Sequence, residues 1–161
     1  MKPVAIIGMG MNKKDLTARH LEIIHQADVL VGGQRLLNLF KESGARKKVI
    51  DKDIDRLVDF VKQEMKANNI VVLASGDPMF FGIGQRLVNA IGARHTKIYP
   101  NISSVAAAFA RIKEPWDDVQ VISLHGRRND NRLLKALEEE NKLAVYTDPK
   151  NNPAWLAAHL L

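Results

Sequence analysis

Short apolar runs, each followed by a glycine or a polar residue, recur along the chain and alternate with amphipathic segments. Runs of this length and composition are typical of strands buried inside a parallel sheet. In the first part of the chain the predicted strands span residues 3–7, 28–31, 70–74 and about 95–99. The predicted helices span residues 17–27, 54–65 and 78–91, and another begins at Ser103 or Ser104. This alternation predicts an α/β fold with a mostly parallel sheet.

The pattern changes at residues 113–118, where a proline interrupts a segment without apolar periodicity. We interpret this segment as a linker between an N-terminal α/β domain, residues 1–112, and a C-terminal α/β domain, residues 119–161. The second domain contains two predicted strands, at 119–124 and 143–147, with helices at about 131–141 and from 153. Two strands do not make a stable sheet alone. We therefore expect this domain to be incomplete, or to lean on the first domain or on a partner chain.

The strand at 70–74 runs directly into Ser75-Gly76-Asp77-Pro78, the kind of junction at which α/β proteins bind small molecules. Gly76 allows a ligand to approach the backbone closely because it has no Cβ. Asp77 offers a carboxylate to hydroxyl or ammonium groups. A purely structural interpretation is equally open, in which Asp77 is the N-cap and Pro78 the first residue of the following helix.

Composition and charge narrow the class of protein. Hydrophobic residues make up 46% of the chain, which excludes disorder, and no apolar run reaches the roughly 20 residues that a membrane span requires. The N-terminus begins with a strand-like run rather than a signal peptide, so we expect a cytoplasmic protein without a membrane partner. The net charge of +6 favours an anionic partner. Residues 46–48 are interpreted as a solvated basic patch that precedes a strand.

Common catalytic templates are absent from the sequence. Gly8-Met9-Gly10 lacks the third glycine of a dinucleotide fingerprint, and the five histidines show no metal-ligand spacing, so no metal site is predicted. His20 and His25 are interpreted as core or surface residues. Ser103 and Ser104 fit a helix cap better than a nucleophile. The polar turn that begins at His125 is either an anion-facing edge or an ordinary turn.

Several ordered elements together resemble one family, the tetrapyrrole methylases. They are the Gly-rich loop at 8–17, Val31-Gly32-Gly33-Gln34-Arg35-Leu36-Leu37, Ala74-Ser75-Gly76-Asp77-Pro78, Pro100-Asn101-Ile102-Ser103-Ser104, Pro115-Trp116, Ser123-Leu124-His125-Gly126-Arg127 and Thr147-Asp148-Pro149. Two of these motifs, the one at 31–37 and the one at 123–127, narrow the resemblance to one branch of the family. This branch methylates C5 of a precorrin or cobalt-precorrin in cobalamin biosynthesis. The resemblance covers essentially the whole chain.

The resemblance implies a homodimeric two-domain enzyme that binds S-adenosylmethionine between its domains and releases S-adenosylhomocysteine. The residues that it implies for cofactor binding are Gly76, Asp77, Pro78, Met79, Ser103, Ser104, Tyr146 and Thr147. Those that it implies for binding the anionic tetrapyrrole are Gly8, Gly10, Met11, Asn12 and Arg127, with His125 as a candidate base. The cationic residues Lys13, Lys14, Arg127 and Arg128 are candidate partners for the substrate carboxylates, although Lys13 and Lys14 fit a solvated surface equally well.

Two other functions remain open at this point. A methylase of the same fold could act on another precorrin, on a diphthamide precursor or on RNA, although the sequence shows no broad basic surface of the kind that nucleic acid requires. Alternatively, the chain could be a truncated cofactor-binding or dimerisation module without turnover. Binding of nucleic acid would identify an RNA enzyme. Activity in a longer chain but not in this one would identify a cofactor-binding or dimerisation module.

Overall fold

The computed structural model describes residues 2–50, 53–124 and 130–160. The chain divides into two units, Met1–Ala107 and Ala108–Leu161, and we describe each by itself. The division falls inside helix α5 (Ser104–Ile112), shortly before the segment 113–118. The predicted linker and domain limits therefore stay predictions.

The first unit is built on a parallel sheet of five strands in the order β3-β2-β4-β1-β5. The strands are β1 (Val4–Gly8), β2 (Val29–Gly32), β3 (Arg46–Val49), β4 (Ile70–Ala74) and β5 (Thr96–Tyr99). All residues of β1, β2 and β4 are buried. Continuous burial explains why these strands have apolar side chains on both faces rather than an alternating pattern. The predicted α/β fold with a mostly parallel sheet is confirmed.

Helices cover both faces of this sheet. Helices α1 (Ala18–His25) and α2 (Gln34–Leu37) contribute buried residues on one face, and α3 (Ile54–Glu64) and α4 (Gly84–Ile91) on the other. Successive residues of a strand point to opposite faces, so Ala5 and Ile7 belong to one apolar cluster and Val4 and Ile6 to the other. The sheet thus has an apolar core on each face. The loops that follow the strands lie at its edge, beyond these two cores.

The start of α1 shows how local chemistry sets a helix boundary. The Thr17 hydroxyl accepts a hydrogen bond from the His20 N–H at 3.2 Å, and His20 Nδ1 accepts one from the Thr17 N–H at 3.3 Å. These reciprocal bonds satisfy donors that a helix start leaves unpaired. His20 is buried and its ring meets the Tyr99 ring edge-on, with the centroids 6.2 Å apart. Of the two alternatives that the sequence left open for His20, core or surface, the structure shows the core.

The basic patch at 46–48 is not a segment before a strand but the edge strand β3 itself, so that prediction was wrong. Arg46 pairs in register with Val29 of β2 and forms an ion pair with Glu64. Arg46 and Lys48 lie over the Phe60 ring, at 5.7 and 5.3 Å from its centroid. Their charges masked the strand in the sequence, and charged side chains on an edge strand oppose pairing with other chains.

The second unit contains the parallel strands β6 (Gln120–Ser123) and β7 (Leu143–Tyr146), with the helices α6 (Asp130–Glu139) and α7 (Pro153–Leu160). These elements agree with the predicted ones apart from small differences at their ends. Ile122, Leu124 and Leu133 form its small apolar core. The buried Asn151 side chain donates to the Leu124 carbonyl at 2.9 Å. Within the described residues, no helix is long and apolar enough to cross a membrane.

Candidate active site

The carboxyl ends of β4, β1 and β5 are neighbours in the sheet, and the loops that follow them meet at this edge. Gly10 and Gly76 form a two-way bridge: each N–H donates to the carbonyl of the other at 3.2 Å. Both glycines have positive φ, 61° and 59°, which residues with a Cβ rarely adopt. Open α/β sheets bind ligands at this edge. The fold therefore brings together Gly8, Gly10 and Gly76, which the sequence had singled out separately.

Gly8 shows how closely the loops approach one another. A Cβ at this position would lie 2.6 Å from the Gly76 carbonyl oxygen and 2.9 Å from the Asn101 Cβ. Either distance is shorter than van der Waals contact, so any other residue would separate the loops after β1, β4 and β5. Glycine at position 8 is thus a requirement of loop packing.

The Asp77 carboxylate organises the loop after β4. Its Oδ1 accepts from the Met79 N–H at 2.8 Å, and its Oδ2 accepts from the Asn101 N–H at 3.3 Å. Helix α4 begins at Gly84, after a turn in which the Gly84 N–H donates to the Pro78 carbonyl at 2.9 Å. The predicted helix from 78, with Asp77 as N-cap and Pro78 as first residue, was therefore wrong, because the chain makes this turn first.

Ser103 closes the loop after β5. Its hydroxyl accepts from the Ala106 N–H at 3.1 Å, three residues further on, and the residue is buried. This is the geometry of a helix N-cap. Helix α5 then begins with Ser104. The preference for a cap over a nucleophile is confirmed for Ser103.

Asn101 joins all three loops, and the sequence analysis missed it. Its side-chain amide donates to the Gly8 carbonyl at 2.9 Å and to the Asp15 carbonyl at 3.1 Å. Its Oδ1 accepts from the Ile102 N–H at 2.8 Å, while its own N–H donates to Asp77. Asn101 stands in one of the motifs that carry the family resemblance, but a polar residue two positions after a strand is too common to single out a site.

The loop after β1 is held mainly by Asp15. Its Oδ2 accepts from the N–H groups of Met11 and Asn12, at 2.7 and 3.1 Å. Lys13 donates to the Leu39 carbonyl at 3.2 Å and lies 5.0 Å from the centroid of the Phe40 ring. Lys13 thus has partners in its own unit. A role for Lys13 or Lys14 toward a substrate stays a prediction.

One side chain next to this edge, that of His20, has a shifted pKa. Burial lowers the pKa of His20, whose ring lies against Tyr99 at the end of β5. A buried imidazole with Nδ1 accepting a hydrogen bond favours the neutral form. Within the described part of the chain, no group of three or more metal-ligating side chains is found.

The remaining predicted site residues lie in the second unit or outside the described residues. Tyr146 ends β7, and its carbonyl accepts from the Leu124 N–H at 2.9 Å. Thr147 follows directly after it. His125, Arg127 and Arg128 lie outside the described residues. The roles predicted for these residues are therefore untested and stay predictions.

A model of the Tetrapyrrole (Corrin/Porphyrin) Methylases matches residues 3–161. The chain belongs to this family. A cobalt-precorrin-7 C(5)-methyltransferase of Salmonella typhimurium is 35% identical over 159 residues, which are 98% of this chain and 77% of that protein. A probable cobalt-precorrin-7 C(5)-methyltransferase of Methanocaldococcus jannaschii is 34% identical over 148 residues, covering 89% of this chain and 70% of that protein.

Solved structures agree with this assignment. The precorrin-6Y methylase CbiE of Archaeoglobus fulgidus superposes with a TM-score of 0.71 at 30% identity, over 91% of this chain and 73% of that one. The uroporphyrin-III C-methyltransferase of Thermus thermophilus, complexed with S-adenosylhomocysteine, has a TM-score of 0.73 at 21% identity, over 98% of this chain and 75% of that one. The second likeness concerns the fold alone. The predicted family and fold class are confirmed, and the family is one of S-adenosylmethionine-dependent methylases.

The residues at the β4 edge fit such a cofactor. A Cβ at Gly76 would lie 3.7 Å from the Ser103 Cα and 3.8 Å from the Ile102 carbonyl oxygen, so it would occupy space that glycine leaves open. The neighbouring Asp77 is only half-buried. Its carboxylate is the kind of acceptor that an ammonium group or ribose hydroxyls require. Backbone groups and a partly exposed carboxylate thus occur together at one point of this edge.

Proposed function

We propose that this protein transfers the methyl group of S-adenosylmethionine to C5 of a cobalt-precorrin in cobalamin biosynthesis. The single observation that carries the proposal is the 35% identity over 98% of the chain to an enzyme named for this reaction. The packing of three glycine-rich or polar loops at the ligand-binding edge of the sheet supports it, because two substrates must be aligned there.

The absence of a recognisable catalytic motif is consistent with this chemistry. When bound, S-adenosylmethionine would supply an electrophilic methyl group, which a nucleophilic ring carbon attacks directly with S-adenosylhomocysteine as the leaving group. The task of the chain is therefore to hold two substrates in line, and alignment alone can supply several kcal/mol, roughly 7–11 in well-oriented model reactions. Rigid loops serve this purpose better than a reactive side chain.

We assign cofactor binding first to the loop after β4. Gly76, Pro78 and Met79 offer backbone groups there, and Asp77 offers its carboxylate. Ser103 and Ser104 at the start of α5 are proposed to line the same space. Tyr146 and Thr147 of the second unit are proposed as further cofactor contacts. Because the Ser103 hydroxyl already caps α5, we expect this residue to contribute through its small size rather than through a new hydrogen bond.

Substrate binding is assigned to the loop after β1. Gly8, Gly10, Met11 and Asn12 are the proposed contacts, with Arg127 as a partner for the carboxylates and His125 as a base that accepts a ring proton after transfer. The net charge of +6 suits an anionic macrocycle. We further propose that the protein is a homodimer and works in the cytoplasm.

The first experiment is a calorimetric titration of S-adenosylhomocysteine into the protein and two variants. We expect micromolar binding by the unsubstituted chain, and binding at least about tenfold weaker in Asp77→Ala, because a charge-assisted hydrogen bond contributes about 1.5–3 kcal/mol. Asp59→Ala is the matched control, because Asp59 is an exposed acid on α3. No binding by the unsubstituted protein would contradict the proposal.

The substrate is tested separately with methyl-labelled S-adenosylmethionine. We expect label at C5 of the cobalt-precorrin and none in RNA added as a competing substrate. Transfer to RNA would favour the alternative that keeps the fold and changes the substrate. Cofactor binding without any transfer would favour a binding module instead.

A further inference from the structure

Phe81 has a backbone conformation that a bulky residue rarely adopts. Its φ is +54°, in the left-handed region where a Cβ is crowded by the backbone. Among the described residues, Lys113 is the other non-glycine with positive φ, and it ends α5, where the Glu114 N–H donates to the Phe109 carbonyl at 3.2 Å. A left-handed residue is an ordinary helix terminator. Phe81 follows no helix, so its conformation has another cause.

The cause lies in the two glycines that follow it. A Cβ would lie 2.5 Å from the Pro78 carbonyl oxygen at Gly82 and 2.6 Å from it at Gly84. The Gly84 N–H donates to the same oxygen. The turn after β4 is therefore wound tightly around the Pro78 carbonyl, and Phe81 lies within this turn.

This arrangement leaves the Phe81 ring exposed. The residue is 55% exposed, and its ring meets the Phe80 ring edge-on, with the centroids 5.1 Å apart. Neither the left-handed backbone nor the exposed aromatic ring is favourable in the protein alone. Strained residues with exposed apolar side chains are typical of binding sites, where a ligand later covers them.

Other large apolar side chains are exposed on the same three loops. Met11 is 49% exposed in the loop after β1, Met79 is 43% exposed in the loop after β4, and Ile102 is 39% exposed in the loop after β5. We call Met11, Met79, Phe81 and Ile102 the apolar rim. Met11 directly follows Gly10, Met79 and Phe81 come three and five residues after Gly76, and the Ile102 carbonyl oxygen would lie 3.8 Å from a Cβ at Gly76. The rim residues thus belong to the loops that the proposed function assigns to the two substrates.

The chemistry of the rim distinguishes between those two substrates. S-adenosylmethionine presents an ammonium group, a carboxylate and ribose hydroxyls, which match Asp77 and the backbone of the loop after β4. Its adenine ring is a second, smaller flat face, and the titration with S-adenosylhomocysteine below tests adenine as the alternative occupant of the rim. A tetrapyrrole instead presents a broad conjugated face, with its carboxylates at the periphery. A broad face of this kind matches apolar and aromatic side chains, and aromatic rings gain from stacking geometry beyond their buried area.

We propose that the Phe81 ring contacts the face of the tetrapyrrole and fixes its position over the cofactor loop. This inference rests on the proposed function and adds a specificity-determining residue to it. The tight turn holds the ring in place before the substrate arrives, so less side-chain freedom is lost on binding.

The test compares Phe81→Leu and Phe81→Tyr with the unsubstituted protein. The probes are cobyrinic acid, a stable corrin that carries acetate and propionate carboxylates, and S-adenosylhomocysteine, each titrated by calorimetry. Phe81→Leu removes the aromatic ring but keeps the strained backbone. Phe81→Tyr keeps both the aromatic ring and the strained backbone. Lys113→Gly is the matched control, because it relieves the positive φ of a non-glycine residue in the second unit.

We expect Phe81→Leu to weaken cobyrinic acid binding about tenfold, the upper range for an aromatic contact, and to leave S-adenosylhomocysteine binding within about twofold. Phe81→Tyr and Lys113→Gly should bind both probes like the unsubstituted protein. Unchanged corrin binding by Phe81→Leu, or equal weakening of both probes, would overturn the inference.

The unsubstituted protein separates this inference from the function on which it rests. Binding of S-adenosylhomocysteine without cobyrinic acid would overturn the apolar rim as a corrin surface and leave the methylase assignment intact. Binding of neither probe would overturn the proposed function, and this inference with it.

Discussion

The loops on either side of the Gly10–Gly76 bridge are held in different ways. The loop after β1 is fixed by polar side chains, because Asp15 accepts from Met11 and Asn12 and Asn101 donates to the Gly8 and Asp15 carbonyls. In the loop after β4, the two bonds of the Asp77 carboxylate are joined by close packing of Gly82 and Gly84 on the Pro78 carbonyl. Substitutions that affect the loop after β1 can remove its hydrogen bonds one residue at a time. At the close-packed glycines of the loop after β4, there is no room for an added atom.

The largest effect is expected where packing is tightest. Gly82→Ala places a Cβ 2.5 Å from the Pro78 carbonyl oxygen and 3.0 Å from that of Asp77. Both neighbours are backbone atoms, so the turn must open, and we expect the free energy of unfolding to fall by about 3 kcal/mol, the upper range for overpacking. Urea denaturation of the whole chain measures this change.

Gly33→Ala is the control for that experiment, because a Cβ there meets nothing within 4 Å. It should change stability by less than about 0.5 kcal/mol, as most surface substitutions do. Equal stability of the two variants would show that close packing does not hold the loop after β4.

Among substitutions that affect the loop after β1, we expect the largest loss of stability from loss of the Asn101 side chain. Asn101→Ala removes the donors to the Gly8 and Asp15 carbonyls, and we expect a loss of about 2 kcal/mol because polar groups are left unpaired. Asn101→Asp keeps an acceptor for the Ile102 N–H but has no amide donor, so it should rescue only part of the loss. Full rescue by aspartate would mean that the donated bonds contribute nothing.

A smaller effect is expected at Asp15. Asp15→Asn keeps one acceptor oxygen but removes the charge that strengthens the bonds from Met11 and Asn12. We expect a loss of about 1 kcal/mol in the free energy of unfolding. Asp59→Asn, on exposed helix α3, serves as the control, and an equal effect of both substitutions would argue against a holding role for Asp15.

The smallest effect concerns pH and His20, which lies behind the loop after β1. Burial lowers its pKa in the folded protein, so the unfolded chain takes up the proton first as the pH falls. The stability contributed by neutral His20 is therefore complete above the ordinary histidine pKa of about 6.5 and decreases as the pH falls below it.

Denaturation midpoints between pH 7.5 and pH 5 measure this dependence, with His20→Gln for comparison. Glutamine does not titrate, so the denaturation midpoint of His20→Gln should change less with pH than that of the unsubstituted protein. A slope identical in both proteins would show that other groups cause the pH dependence.

Much of the fold was predictable because its signals are local. Uninterrupted apolar runs identified β1, β2 and β4, since both of their faces are buried. Thr17 and Ser103 were predicted as polar starts of helices, and both side chains form the expected cap bonds. The family was predictable for a related reason, because its ordered motifs are contiguous in the chain.

The errors have physical reasons as well. The strand β3 was missed because Arg46 and Lys48 pack their charged side chains over Phe60, a contact distant in sequence. The start of α4 was placed too early because Asp77 and Pro78 favour a helix start locally, but packing of Gly82 and Gly84 imposes a turn first. The first contact is distant in sequence and the second lies within the turn itself, and each outweighed the preference that residue types indicated.

The sequence by itself determined the alternation of strands and helices, the parallel sheet, the family, and the glycines around which a site had to form, because each depends on residue type and spacing. Only the tertiary structure decided that Asn101 joins three loops, that Asp77 holds a turn rather than a helix, and that Phe81 is strained and exposed. The contacts of Asn101 join residues far apart in the chain, and those of Asp77 and Phe81 depend on close packing within residues 77–84. Residue type and spacing along the sequence encode neither.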